Sequence, residues 1–162
     1  MRYAFVLLVL LLGSAQAAEQ VRLTNGEWPP YLGETLPHHG VASRIVAEAF
    51  ALQGIDVQWE FHPWARSLKM AEQGVRDGSA VWFHSPERER HFHISEPVVE
   101  SGYYLFHRKP LRSDSLHLLL SREVPGNDEL MQRFNRGLNQ LRDSGKISQY
   151  LLEIQQPLSL SH

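Results

Sequence analysis

Ala80-Val81-Trp82-Phe83, running into His84-Ser85-Pro86-Glu87-Arg88-Glu89-Arg90, is the stretch on which the fold turns. The apolar tetrad is rich in β-favouring residues and reads as a buried strand. The chain then leaves that strand through Ser85 and a turn-setting Pro86 and presents Arg88. A guanidinium is a rigid fork of donors that matches a carboxylate or phosphate. The C-terminal edge of an open α/β sheet is where such ligands bind. Taken alone, Ser-Pro-Glu-Arg-Glu-Arg reads better as a solvated charge run, and what overturns that reading is the rest of the chain.

Upstream, strands and helices alternate. Val21 and Leu23 open a short strand that stops at Asn25-Gly26. After Gly40, the residues Ala42, Ile45, Val46, Ala49 and Phe50 recur at helical spacing, and Gly54 ends the helix. Ile55, Val57, Trp59 and Phe61 alternate with polar residues, as in a strand with one buried face. Pro63 opens a second helix with Trp64, Leu68, Ala71 and Val75 on one stripe, stopping between Gly74 and Gly78. This βαβαβ order predicts a parallel sheet with right-handed crossovers.

Downstream, 103–107 and 116–120 are both strand-like, and their short, turn-rich separator predicts an antiparallel pair. A helix with Leu130, Phe134, Leu138 and Leu141 inward follows Pro125 and ends at Ser144-Gly145. Ile147, Tyr150, Leu151 and Ile154 make a last helix, stopped before Pro157.

The N-terminus sets the expected compartment. Arg2, the apolar run Phe5 to Leu12 and Ala15-Gln16-Ala17 have the pattern of a secretory signal over residues 1–17, with cleavage before Ala18. The apolar run falls short of the roughly 20 residues a spanning helix needs. The remaining 18–162 is 145 residues long, enough for one domain. Loss of Arg2 lowers the basic count from 16 to 15 against 18 acidic residues, a net charge near −3. That balance carries no basic footprint for nucleic acid. With no cysteine there is neither disulfide nor thiolate metal site.

Three successive parallel strands thus end in Asn25-Gly26-Glu27-Trp28-Pro29-Pro30-Tyr31, in His62-Pro63-Trp64 and in His84 to Arg88. Parallel strands share their C-terminal edge, so the three loops converge. They bring an aromatic wall (Trp28, Tyr31, Trp64), amide and carboxylate groups (Asn25, Glu27) and one guanidinium (Arg88). An apolar cleft with a few convergent polar groups is the form of a small-molecule site, and an amino acid would satisfy all three kinds of group.

These loops, with Pro63-Trp64-Ala65-Arg66, Pro86-Glu87-Arg88-Glu89, Phe92, Ser95-Glu96-Pro97 and the ending Arg133-Phe134-Asn135-Arg136-Gly137-Leu138 through Ser144-Gly145, resemble the bacterial extracellular solute-binding proteins of family 3. These are the periplasmic receptors of amino-acid ABC uptake systems, and the resemblance covers most of residues 20–156. It implies an α/β fold, one lobe of a type II periplasmic binding protein, with a mostly parallel sheet flanked by helices. It also implies a periplasmic location, a small ligand such as a polar amino acid, an ABC permease as partner, and no cofactor. Arg88 would clasp the ligand carboxylate and Trp28 would stack on the ligand. The position of Asn25 commonly carries an ammonium-facing carboxylate, which this chain lacks. Asn25, Glu27, Trp28, Tyr31, Trp64, Phe83 and Arg88 are the candidate ligand-binding residues.

Family members have two lobes, the second inserted between two hinge strands. Here only the seven residues 109–115 separate the hinge-like strand from the returning one, so one lobe is expected, with its cleft face uncovered. A single wall predicts weak binding, and uncovered Trp28, Tyr31 and Trp64 predict self-association. The alternatives are a dehydratase-like enzyme on the same fold, for which Glu27 or His84 would be the acid or base, and a remnant that binds nothing. His84, His91 and His93 suggest zinc, but no acidic or cysteine partner sits at a recognised ligand spacing.

Overall fold

The alternating first half of the chain becomes three parallel strands. The computed structural model describes residues 19–103 and 112–155. They form β1 (Glu19–Asn25), β2 (Ile55–Phe61), β3 (Gly78–Phe83), β4 (Phe92–Tyr103) and β5 (Arg112–Ser121), in the sheet order β2-β1-β3-β5-β4. β1 pairs parallel with β2 and β3, while β5 lies antiparallel between β3 and β4. Four of the five strands therefore point the same way, and the C-terminal ends of β1, β2 and β3 share one edge.

Helices α1 (Val41–Ala51), α3 (Asn127–Asp143) and α4 (Lys146–Gln155) cover one face and α2 (Trp64–Glu72) the other. The α1 stripe Ala42, Ile45, Val46, Ala49 and Phe50 is fully buried, as are Phe134 and Leu138 of α3. Phe50 and Phe134 meet with ring centroids 4.9 Å apart. α4 is tied to α1 by polar contacts: Tyr150 Oη donates to Glu48 Oε2 at 2.5 Å, and Arg44 lies 3.7 Å over the Tyr150 ring while Nη1 donates to Glu153 at 2.9 Å. On the other face, Leu68 and Ala71 of α2 pack with Trp82, Phe92, Ile94 and Leu119.

Two expectations are corrected. Val75 does not extend the α2 stripe: it is 46% exposed and lies past the helix end. Gly74, at φ +69°, lets its own N–H reach Ala71 O and lets the Val75 N–H reach Met70 O, the paired bonds that close a helix C-terminus. The second correction concerns the partner of 116–120, which is 93–99 rather than 103–107: His93 faces Leu120, Ile94 faces Leu119 and Val99 faces Leu116. Pro97 hid this strand in the sequence. Proline is tolerated here because β4 is an edge strand and is bulged at that point. Of the expected 109–115 loop, 112–115 already belong to β5; 109–111 and the 104–107 part of the expected strand lie outside the described residues.

Leu118 of β5 is the pivot of this half of the sheet. Ser79 faces Leu119 and Trp82 faces His117, so Ala80 and Val81 together oppose Leu118. On its other side Ile94 faces Leu119 and Pro97 faces His117, so Ser95 and Glu96 also oppose it. Each is a β-bulge, two residues against one. The Leu118 N–H, left without a ladder partner, donates to Ser95 Oγ at 2.9 Å. The first bulge places Val81 at φ +66°, a conformation that a β-branched residue adopts only under constraint.

Gly137 marks the closest approach of α1 and α3. An added Cβ there would lie 2.0 Å from Ala49 O. In an open helix, Gly→Ala gains about 1 kcal/mol. Here Gly137→Ala should instead destabilise the fold by about 1–3 kcal/mol, the usual cost of overpacking. A lower urea midpoint at unchanged m-value is the expected result.

Candidate functional site

β1 ends in a buried knot of polar groups. Thr24, Asn25, Ser43, Ser67 and Ser79 are all fully buried. Thr24 Oγ1 donates to Ser67 O at 2.9 Å and lies 3.2 Å from Gly78 O, while Ser79 Oγ donates to Thr24 O at 3.2 Å. Ser67 Oγ donates to Asn25 O at 2.8 Å, and the His62 N–H reaches the same carbonyl at 3.0 Å. Asn25 Nδ2 donates to Ser43 Oγ on α1 at 2.9 Å. Asn25 is thus turned into the protein, away from the open edge.

The next residues build the wall. Gly26 is the seat of Trp64: a Cβ on Gly26 would come within 2.5 Å of the indole, so only glycine permits this contact. Glu27 reaches across its loop, its Oε1 accepting the Glu34 N–H at 2.9 Å. Trp28 starts a tight turn in which its carbonyl accepts from the N–H groups of Tyr31 at 2.9 Å and Leu32 at 3.0 Å. The Trp28 ring lies between Tyr31 and Phe83, at centroid distances of 4.9 and 6.5 Å. Trp64, at the start of α2, stands edge-on to Trp82 at 5.1 Å.

After β3 the chain turns through Ser85, whose carbonyl accepts the Arg88 N–H at 3.0 Å. The Arg88 side chain folds back along the strand end. Nη1 donates to Phe83 O at 2.8 Å, and the guanidinium carbon sits 5.0 Å from the centre of the Trp82 ring, within cation–π range. Nε is buried with no acceptor, the one such side-chain nitrogen or oxygen among the described residues. An unpaired buried donor costs about 1–3 kcal/mol and calls for an explanation.

These groups enclose a cleft of about 390 Å³ lined by Glu27, Trp28, Trp64 and Arg88 together with Val81, Trp82, Phe83 and Leu116. Five of the seven candidates therefore meet in one cleft: Glu27, Trp28, Trp64, Phe83 and Arg88. Asn25 lies in the knot, and Tyr31 braces Trp28 from behind rather than lining the space. Trp28, Tyr31 and Trp64 are half-buried against the core, while the exposed large apolar residues among those described are Leu52, Val75 and Leu152. Val81, Trp82 and Leu116 are the lining residues that sequence reading missed, and Trp82 is the aromatic one. Strand alternation would set it opposite Ser79, three positions away, yet Trp82 Nε1 donates to Ser79 Oγ at 2.8 Å. The bulge between them rotates Trp82 onto that face, and nothing in Ala-Val-Trp-Phe announces a bulge.

The histidines are separately engaged. His84 Nε2 lies 2.6 Å from Glu89 and His91 Nε2 3.4 Å from Glu72. Burial, with Arg122 nearby, pushes the His93 imidazole below its ordinary range, against the pull of Asp128. No three metal-ligating side chains converge among the described residues.

Residues 22–153 match the bacterial extracellular solute-binding proteins, family 3, and the chain belongs to that family. No curated protein matches it. Among solved structures it is similar to the GluR0 ligand-binding core from Nostoc punctiforme in complex with L-glutamate, at 11% identity and a TM-score of 0.67, over 85% of this chain and 100% of that one. The L-cystine solute receptor of Neisseria gonorrhoeae, unliganded and open, gives 14% identity and a TM-score of 0.67, over 85% of this chain and 92% of the receptor. The ancestral amino acid-binding protein AncCDT-1, a precursor of cyclohexadienyl dehydratase, gives 11% identity and a TM-score of 0.66, over 83% of this chain and 94% of its own. At such identities the likeness establishes the fold, that of a periplasmic binding protein, of which the described residues form one lobe.

The loop that carries Trp64 is pinned by Glu60, whose carboxylate accepts from Arg76 Nε at 2.6 Å and lies 3.3 Å from His62 Nε2. The Arg76 hydrogen bond, reinforced by His62, holds the Glu60 carboxyl below its ordinary value of 4.5. A carboxyl with a lowered folded-state pKa stabilises fully above its unfolded pKa, and the contribution disappears as pH falls through the folded value. Glu60→Gln should therefore lower stability near neutrality and shrink the difference from wild type below about pH 4, as read by thermal unfolding across pH.

Proposed function

We propose that this member of the family binds a small carboxylate-bearing molecule in the Arg88 cleft, the carboxylate accepting hydrogen bonds from the guanidinium. The observation that carries the reading is the state of Arg88: it lines the cleft, and the one side-chain hydrogen bond it donates among the described residues runs from Nη1 to Phe83 O. A guanidinium held by one corner, with donor capacity unspent beside an apolar cleft, is complementary to an anionic oxygen pair. Half-burying the arginine against Trp82 strengthens such a bond by lowering the local dielectric.

Binding rather than turnover fits the neighbouring titratable groups. Glu27 holds the Glu34 N–H and His84 is paired with Glu89, and the cleft opens to solvent. An acid–base step needs a free group of suitable pKa and benefits from water exclusion.

The proposed setting is periplasmic, residues 1–17 acting as the export signal and 18–162 as a single lobe, with an ABC permease as the downstream partner. One wall makes the binding weak. A closed cleft buries roughly 70–90% of a small ligand. Forgoing contacts worth about 4 kcal/mol turns a micromolar site into a millimolar one. The open mouth is also where a second copy would pack, which sedimentation velocity over a hundredfold concentration range tests.

The central test is chemical-shift perturbation by a panel of small carboxylates. Saturable millimolar binding is expected in the wild type. Arg88→Ala should weaken it ten- to a hundredfold, the worth of a charge-assisted hydrogen bond at about 1.5–3 kcal/mol. Arg88→Lys should be nearly as damaging, since an ammonium cannot make a planar two-point contact. Arg90, exposed and two residues on, should tolerate alanine. Equal losses in Arg88→Ala and Arg90→Ala would refute the assignment.

A further inference from the structure

We infer that the ligand class of this cleft is an aromatic monocarboxylate, an aryl ring on a short acid arm, rather than a polar amino acid. The inference rests on the carboxylate-binding reading above and narrows it.

Six of the eight residues around the cleft are apolar or aromatic, and Arg88 is the one cation among them. The aromatic wall is rigid before any ligand arrives. Trp28 is braced by Tyr31 and Phe83, and Trp64 is seated on Gly26 and set edge-on to Trp82. Preorganised indoles take a flat ring with little further loss of side-chain freedom. A volume of about 390 Å³ sits at the small end of ligand sites, in keeping with one ring and a short arm.

The polar side of the cleft argues the same way. A zwitterion needs an acceptor for its ammonium close to the carboxylate partner. Asn25, the polar group at the end of β1, is fully buried and spends its amide on Ser43. Glu27, the only acid on the wall, is exposed and braces its own loop through the Glu34 N–H. An ammonium would meet only this exposed carboxylate, already engaged by a backbone N–H, whereas a ring loses only contact with water and gains from leaving it. The guanidinium over Trp82 also shows that the cleft already combines π faces with charge.

Phenylacetate, acetate, glutamate and tryptamine, titrated separately into uniformly labelled protein, separate the readings through backbone and indole N–H resonances. Phenylacetate should bind at least tenfold tighter than acetate or glutamate and shift the indole signals of Trp28, Trp64 and Trp82. Trp64→Leu should weaken phenylacetate several-fold more than it weakens acetate. The wild-type ranking stands as evidence by itself should that variant fold poorly. Glutamate or acetate binding as tightly as phenylacetate would overturn the aromatic inference while leaving Arg88 as a carboxylate site. Tryptamine matching phenylacetate would show a ring pocket indifferent to the acid, which overturns it as well. No saturable binding by any of the acids would overturn both this inference and the carboxylate reading beneath it.

Discussion

Every part of the cleft depends on the buried polar knot at the end of β1. Five fully buried hydroxyl and amide residues join the strand to both helix layers and to β3. Inside a protein such bonds are stronger than in water, and each group left unpaired would be costly, so the set holds together as a unit. The consequence is positional. Asn25 O anchors the start of the β2–α2 loop through His62, Thr24 holds α2 through Ser67, and Ser79 holds β3. The three loops that carry Trp28, Trp64 and Arg88 therefore leave a common fixed point, and their side chains converge without a ligand to gather them.

The parts of the structure that depend on local periodicity were readable in advance. Helical spacing in Ala42 to Phe50 and alternation in Ile55 to Phe61 reflect one residue after another choosing the same face, and the helix and strand lie where those patterns put them. Convergence of the strand ends followed from the parallel order. What escaped was what depends on a distant partner. A polar residue at a strand end looks the same whether it faces solvent or a serine eighteen positions away, and Asn25 does the latter. Pro97 masks an edge strand because its tolerance depends on which strand lies beside it. Trp82 joins the cleft through a bulge that the four-residue run does not disclose.

That bulge also explains why the site sits where it does. Val81, β-branched and at φ +66°, is a strained residue on the cleft wall. Such conformations cost about 1–3 kcal/mol and persist only where the surroundings over-determine them. Ser79, one side of the bulge, is held by the knot, and Trp82, the other, is held by Trp64 and Arg88. The strain turns consecutive residues to opposite uses: Trp82 becomes the bed of the guanidinium while the Phe83 carbonyl becomes its tether.

Leu118, flanked by a bulge on each side, has a further consequence for how this lobe tolerates change. Sliding β5 by one or two residues would require the irregularities on both of its sides to migrate together and would strip the Leu118 N–H of Ser95. The register of the returning strand is thus locked from within the sheet. The connection from β4 to β5 is relieved of that duty, and its length becomes thermodynamically cheap to vary, at about 0.6 kcal/mol per doubling for a flexible loop. The alignment of β5 is then a property of the sheet itself and not of the segment that leads into it.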